Sequence, residues 1–240
     1  MPHISFSELK IWAQCPFKHK LMYIDKIKGF VGNEYTAFGG AIHSLCESAI
    51  VGEIDTSDHE DFFQAMFRQE LRKIEITKPK LVLEMVDQAK NITPEIIPSV
   101  EKHFGDYQVI SVEERLFENI KDFDDNEYNF KGFIDLVLKT EDGKYHIIDW
   151  KTCSWGWDLQ RKTDRLTTYQ LTLYKKFFCQ KHNIDPNMVE THFALLKRTA
   201  KKNHVEIFRV TSGSRKTNNA NDLLLKALSN INRQIKFKNR

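Results

Sequence analysis

Apolar residues in the first hundred positions recur at helical spacing. In 58–76, DHEDFFQAMFRQELRKIEI, the side chains Phe62, Phe63, Met66, Phe67 and Leu71 fall on one face, which predicts a helix. The segment 5–24, SFSELKIWAQCPFKHKLMYI, reads as another, with Ser5 or Ser7 as its cap. Glu8 stands three residues after Ser5, as in a capping box, and Pro16 breaks or restarts the helix. Residues 38–51 predict a helix entered through Gly39-Gly40, and 80–102 one interrupted at Pro94 and Pro98. Beyond 106 the pattern changes. Runs 107–117, 128–138 and 145–150 are rich in Val, Ile, Phe and Tyr, and Glu141-Asp142-Gly143 is a hairpin signal. Helical period returns over 165–182. Short strands at 192–197 and 205–210 flank a basic turn, and 220–235 closes the chain as a helix. Helices, a small sheet, then helix and strands predict an α/β or α+β fold with one central sheet.

Composition narrows the class. The chain has 240 residues, 41% hydrophobic and 29% charged, enough for a sizeable core. No run of about 18 apolar residues occurs, so no membrane partner is expected. The opening MPHISFSELK lacks a signal-peptide core. Cys15, Cys46, Cys153 and Cys179 are scattered with no CxxC, the usage of a reduced intracellular protein. Charge is uneven. Residues 1–150 carry 17 basic and 27 acidic side chains, and residues 151–240 carry 19 basic and 6 acidic. The basic half suits a polyanion.

The stretch 132–152, GFIDLVLKTEDGKYHIIDWKT, carries the chemistry. An apolar strand ends on Asp149-Trp150-Lys151, although Asp and Lys are poor strand formers. Asp149 and Lys151 lie two apart and share a face. With Asp135 on the neighbouring strand, two carboxylates and a lysine converge. Two like charges buried together are unfavourable unless a cation lies between them, and a hard divalent ion with oxygen ligands meets that need. The set suits metal-dependent phosphodiester chemistry.

Gly132-Phe133-Ile134-Asp135 followed by Asp149-Trp150-Lys151-Thr152 resembles the PD-(D/E)XK nuclease signature, in particular its RecB-like branch. Ile134 stands where the strict motif has proline. Four further pieces occur in that branch's order: Ser5–Leu9 with Cys15-Pro16, Gly39-Gly40-Ala41-Ile42-His43, Ser111-Val112-Glu113-Glu114, and Gln170-Leu171-Thr172-Leu173-Tyr174. The resemblance spans roughly residues 5 to 174. It implies a restriction-endonuclease-like α/β core, a central mixed sheet flanked by helices with an N-terminal helical region. The whole of 1–240 would form one nuclease domain, with 1–105 mainly helical and 106–240 holding the catalytic sheet and closing helices.

The resemblance also implies roles. Asp135 and Asp149 are metal ligands, with Glu113 a further ligand and Glu114 its rival on the same strand. His43 is a helix ligand, which fits Mn²⁺ as well as Mg²⁺. Lys151 is the catalytic lysine, and Gln170 and Tyr174, four apart on one helix face, back it or bind the scissile phosphate. Trp155 beside Arg161, Lys162 and Arg165 suits base stacking and phosphate contact, and Lys197, Arg198, Lys201 and Lys202 suit backbone phosphates. A structural use is open for each: core packing for the aromatics, a solvated face for the basic turn. Some RecB-like nucleases hold an iron–sulfur cluster with one early cysteine and three near the C-terminus. No cysteine follows Cys179, so no cluster is expected.

The expected function is Mg²⁺- or Mn²⁺-dependent hydrolysis of DNA, by preference as an exonuclease in recombination, repair or phage DNA metabolism. Its setting would be the cytoplasm of a bacterial or virus-infected cell. No GxxxxGK[ST] occurs, so the expectation is a stand-alone nuclease or a subunit lent to a helicase or recombinase partner. The alternatives are a non-catalytic nucleic-acid-binding module of the same fold, a structure-specific endonuclease, and a metal enzyme acting on another substrate.

Overall fold

The computed structural model describes all residues except 28, 30, 124–127, 239 and 240, with 235–238 described by their backbone alone. A short strand β1 (His3–Ser5) leads into α1 (Phe6–Gln14) and α2 (Pro16–His19), followed by a π-helical turn, Lys20–Ile24. Ser5 Oγ caps α1 by accepting the Glu8 N–H at 3.2 Å. Only this half of the expected capping box forms, because the Glu8 carboxylate binds buried His19 at 2.8 Å. The next helix, α3 (Glu34–Ile50), begins four residues ahead of the sequence reading. Asn33 and Thr36 form a capping box there, so Gly39 and Gly40 lie inside the helix and are not its entrance.

α4 (His59–Leu71) stops short of the expected 76. The chain turns, and buried Glu34 captures the N–H groups of Thr77 and Lys78 at 2.6 Å each. α5 (Pro79–Ile92) and α6 (Ile96–Phe104) are separated by a 3₁₀ turn containing Pro94. Pro98 interrupts nothing. It sits in the first turn of α6, where backbone N–H groups have no intrahelical partner.

Strands β2 (Tyr107–Asn119), β3 (Asn129–Thr140) and β4 (Tyr145–Cys153) form an antiparallel set. Then come α7 (Leu159–Thr163), α8 (Arg165–His182), β5 (Val189–Lys197), β6 (Val205–Val210) and α9 (Ser214–Lys238). β5 runs parallel to β4 and antiparallel to β6, so the six-stranded sheet is mixed. α1, α8 and α9 pack on one face, around Phe130, Ile147, Phe177 and Phe193. α3, α4, α5 and α6 cover the other, around Phe38, Phe63, Leu136, Ile148 and Trp150.

Two irregularities of this sheet create the site. β2 occupies one edge of β3 along its whole length. β1 and β4 therefore share the other edge: β1 pairs with residues 129–131 and β4 with residues 136–139. Positions 132–135, which include Gly132 and Asp135, lie in the gap between them. The second irregularity is a crease. Ile134 belongs to one core and Leu136 to the other, although strict alternation puts residues two apart on one face. Across the ladder, Leu116 and Val112 show the same exchange of faces. Between the register pairs Val112↔Leu136 and Glu114↔Ile134 stands Glu113, with φ of 49°. A non-glycine residue in that region is uncommon inside a strand and concentrates at functional sites.

Candidate active site

Asp135 is positioned by the gap. With no ladder pairing on the β1/β4 edge there, its Oδ2 accepts the Trp150 N–H of β4 at 2.7 Å, in place of a backbone carbonyl. Asp149 follows from β4 and is 2% exposed. Its Oδ1 accepts from Gln170 Nε2 at 2.7 Å, and its Oδ2 pairs with Lys151 Nζ. Gln170 also donates to the Tyr174 hydroxyl at 3.2 Å. Gln170 and Tyr174 thus make one hydrogen-bonded arm from α8 that fixes Asp149. Gly132 makes room for it, since a Cβ there would stand 2.8 Å from Tyr174 Cε1.

α3 brings His43 to the opposite side of the carboxylates, with Nδ1 3.8 Å from Asp135 Oδ2. The crease turns Glu113 toward α3, where Glu47 shares a hydrogen bond with it. Glu114 faces α8 instead, held by Lys181 and by His182 at 3.0 Å. Glu47 was missed in the sequence reading. The available signal was its position four residues after His43, one turn along the same face.

The electrostatics show crowded negative charge. Burial, partly countered by Lys151 and the Trp150 N–H, pushes Asp135 up to about 6. Burial and the Asp135 charge, against the attraction of Lys151, push Asp149 up to about 6. Burial and the adjacent Glu113 push Glu47 up to about 8. His43 is held down to about 4 by burial and by Lys151, so its imidazole is neutral and free to ligate. Asp135, Asp149 and a neutral His43 stand by Lys151, and Glu113 and Glu47 adjoin Asp135, an oxygen-rich neighbourhood of the kind that suits a hard divalent cation.

The expected nucleic-acid residues fall into two groups. Trp155, 77% exposed, lines a cleft of about 390 Å³ with Tyr35, Thr152, Arg161 and Arg198, beside Lys151. Arg161 stacks over Trp157, which itself belongs to the core. Arg165, Lys201 and Lys202 are exposed. Lys162 and Lys197 instead converge on Glu206, the latter at 3.1 Å, and Lys197 is buried. Arg198 is also buried, bonded to Gln88 at 3.0 Å and lying over the Tyr35 ring.

A mixed sheet between helical layers, with two strand acids and a lysine at a break in the ladder, defines the class of the restriction-endonuclease-like nucleases. Comparison with known families bears this out: the PD-(D/E)XK nuclease superfamily matches over residues 3–239, and the chain belongs to that superfamily. Among solved structures it is similar to a protein from Eubacterium rectale named, provisionally, an exonuclease. That likeness has a TM-score of 0.59 and 14% identity, and covers 99% of this chain and 81% of that one, which speaks to the fold. The structure of SSO0001 overlaps less well, with a TM-score of 0.39 and 12% identity over 93% of this chain and 85% of that one. Comparison with curated proteins gives no match. No helix among the described residues is long and apolar enough to cross a membrane.

Proposed function

We propose that this nuclease-superfamily member is a Mg²⁺- or Mn²⁺-dependent deoxyribonuclease, acting by preference as an exonuclease. The observation that carries the reading is the meeting of Asp135, Asp149 and Lys151 at the gap in β3, with Asp149 locked by Gln170. Paired acids repel phosphate, so binding alone gives no reason to bury them together. A divalent ion, when bound, supplies Lewis-acid stabilisation of charge developing on the scissile phosphate. Asp135, Asp149 and Glu113, with His43, would hold it, and Glu47 would complete the acidic rim.

Lys151 donates to Asp149 and keeps about a third of its side chain open to solvent. From there its ammonium would orient an attacking water and stabilise the negative charge left on the water oxygen as its proton passes to solvent. Gln170 and Tyr174 keep Asp149 from rotating. Trp155, with Arg161, Arg165, Lys201 and Lys202, offers a stacking and phosphate-binding track leading from Lys151. Lys162, Lys197 and Arg198 would join it by exchanging their internal partners for phosphates. Residues 1–240 would act as one domain, in recombination, repair or phage DNA metabolism, in the cytoplasm, with a helicase or recombinase as a separate partner.

The test is cleavage by wild type and Lys151→Ala of end-labelled linear single strands, linear duplex and closed circles, with Mg²⁺, Mn²⁺ or EDTA. Metal-dependent shortening of linear strands alone, abolished in the variant, supports the exonuclease. Cutting of circles makes it an endonuclease. Firm DNA binding without cleavage under any condition refutes the catalytic reading.

A further inference from the structure

A second polar cluster lies on the other face of the sheet. His146 comes three residues before Asp149 on β4 and packs against Phe104 of α6, whereas Asp149 faces α8. Its cross-strand partner on β5 is Glu190, and His192 follows two residues later on the same face. Among the described residues one group of three His, Cys, Asp or Glu side chains brings its ligand atoms within 4.8 Å of one another, and it is this one. We propose that His146, Glu190 and His192 form a site for a borderline transition-metal ion of the Zn²⁺ type, separate from the nuclease centre.

The ring geometry supports it. His146 Nδ1 faces His192 Nε2 at 3.1 Å. Two nitrogens each about 2.0–2.1 Å from a tetrahedral ion stand about 3.3 Å apart, so small ring shifts admit one. The tautomer of His146 is fixed from behind. The Thr140 hydroxyl donates to Asp142 at 2.5 Å and so accepts from His146 Nε2–H at 2.9 Å. This leaves the His146 Nδ1 lone pair pointing into the cluster. A carboxylate acting through a hydrogen bond on the far nitrogen is the usual support of a ligating histidine. With His146 in that tautomer, His192 Nε2–H donates to His146 Nδ1, and an ion entering between them would displace this proton to His192 Nδ1, which is buried and has no hydrogen-bond partner.

Lys144 and Arg209 both bind Glu190 Oε1 at 3.2 Å, and Oε2 is the oxygen an ion would use. Asp142 pairs with Lys144 at 3.5 Å and offsets part of that positive charge. The ring of His103 packs edge-on to His192 with centroids 5.4 Å apart. The cluster opens into a cleft of about 570 Å³, so water or an outside ligand can complete the coordination. Two imidazoles select Zn²⁺, Co²⁺ or Ni²⁺ over Mg²⁺. Such an ion would tie β4 to β5.

The test uses EDTA-stripped full-length protein titrated with Zn²⁺ by calorimetry and with Co²⁺ by visible absorption, in wild type and in Asp149→Ala. Expected are one equivalent of binding at this site in both proteins, a tetrahedral Co²⁺ spectrum, and a rise in Tm with Zn²⁺. The affinity should fall at least tenfold in His146→Ala or His192→Ala, and no excess of Mg²⁺ should displace the ion. Glu190→Gln, altered in a half-buried side chain, gives the same readout if a histidine variant does not fold. No uptake by wild type, undiminished affinity in these variants, or binding lost in Asp149→Ala would each overturn the assignment. The last result would move the ion to the nuclease centre, so this proposal and the nuclease reading fail separately.

Discussion

Asp135→Asn is predicted to stabilise the metal-free protein at alkaline pH while abolishing cleavage. In the folded chain Asp135 titrates near 6, against 3.8 for the free side chain, chiefly because it is buried. A difference of this size corresponds to on the order of 3 kcal/mol between the two protonation states. The sign follows from the raised value. Below about pH 4 the group is protonated in both states and adds no cost. Between about 4 and 6 the unfolded chain ionises while the folded one resists, and stability is lost. Above about 6 the loss is complete. Asparagine removes the charge and keeps an oxygen to accept the Trp150 N–H, so it escapes the cost. The assay is urea unfolding in EDTA at pH 4, 5, 6 and 8. The variant should match wild type near pH 4 and exceed it by up to about 3 kcal/mol at pH 8, with an unchanged slope. A gap independent of pH, or a variant less stable than wild type at pH 8, would refute the account of a carboxylate held in readiness for a cation.

Other expectations follow from single contacts. Gly132→Ala places a methyl 2.8 Å from Tyr174 Cε1 and should destabilise by about 1–3 kcal/mol in thermal melts, with cleavage reduced as the α8 arm shifts. Gln170→Ala releases Asp149 Oδ1 and should lower kcat about 10–100-fold with little change in DNA affinity, measured by single-turnover cleavage and binding in Ca²⁺. Glu113→Gln should weaken activation by Mn²⁺. Glu114→Gln should leave activation intact and lower stability by no more than about 1 kcal/mol, since it loses only partly exposed pairs with Lys181 and His182. Equal effects from the two glutamates would contradict the crease at Glu113.

What could be read in advance, and what could not, divides along the range of the interactions. The mixed sheet between helices and the helix over 165–182 follow from apolar period and turn residues, which are local signals. Asp135, Asp149 and Lys151 were visible because adjacent strands and a two-residue spacing nearly dictate their meeting. Strand β1 was not visible. It is three residues long, and only β3, more than a hundred positions away, gives it a partner. Yet β1 matters to the candidate site, because its arrival on the β3 edge bounds the gap in which Asp135 lies. The crease was equally hidden, since alternation predicts one face for Glu113 and cannot report a φ of 49°. Glu47 was hidden because a helical glutamate reads as solvated until Glu113 turns toward it. Asp149 and Lys151 stand on a regular stretch of β4, and Asp149 is held by the hydrogen-bonded arm from α8. Asp135, Glu113 and Glu47 come together through the gap and the crease, departures from regularity that no local pattern reports, and burial with this crowding raises Asp135 and Glu47 above the usual carboxylate range.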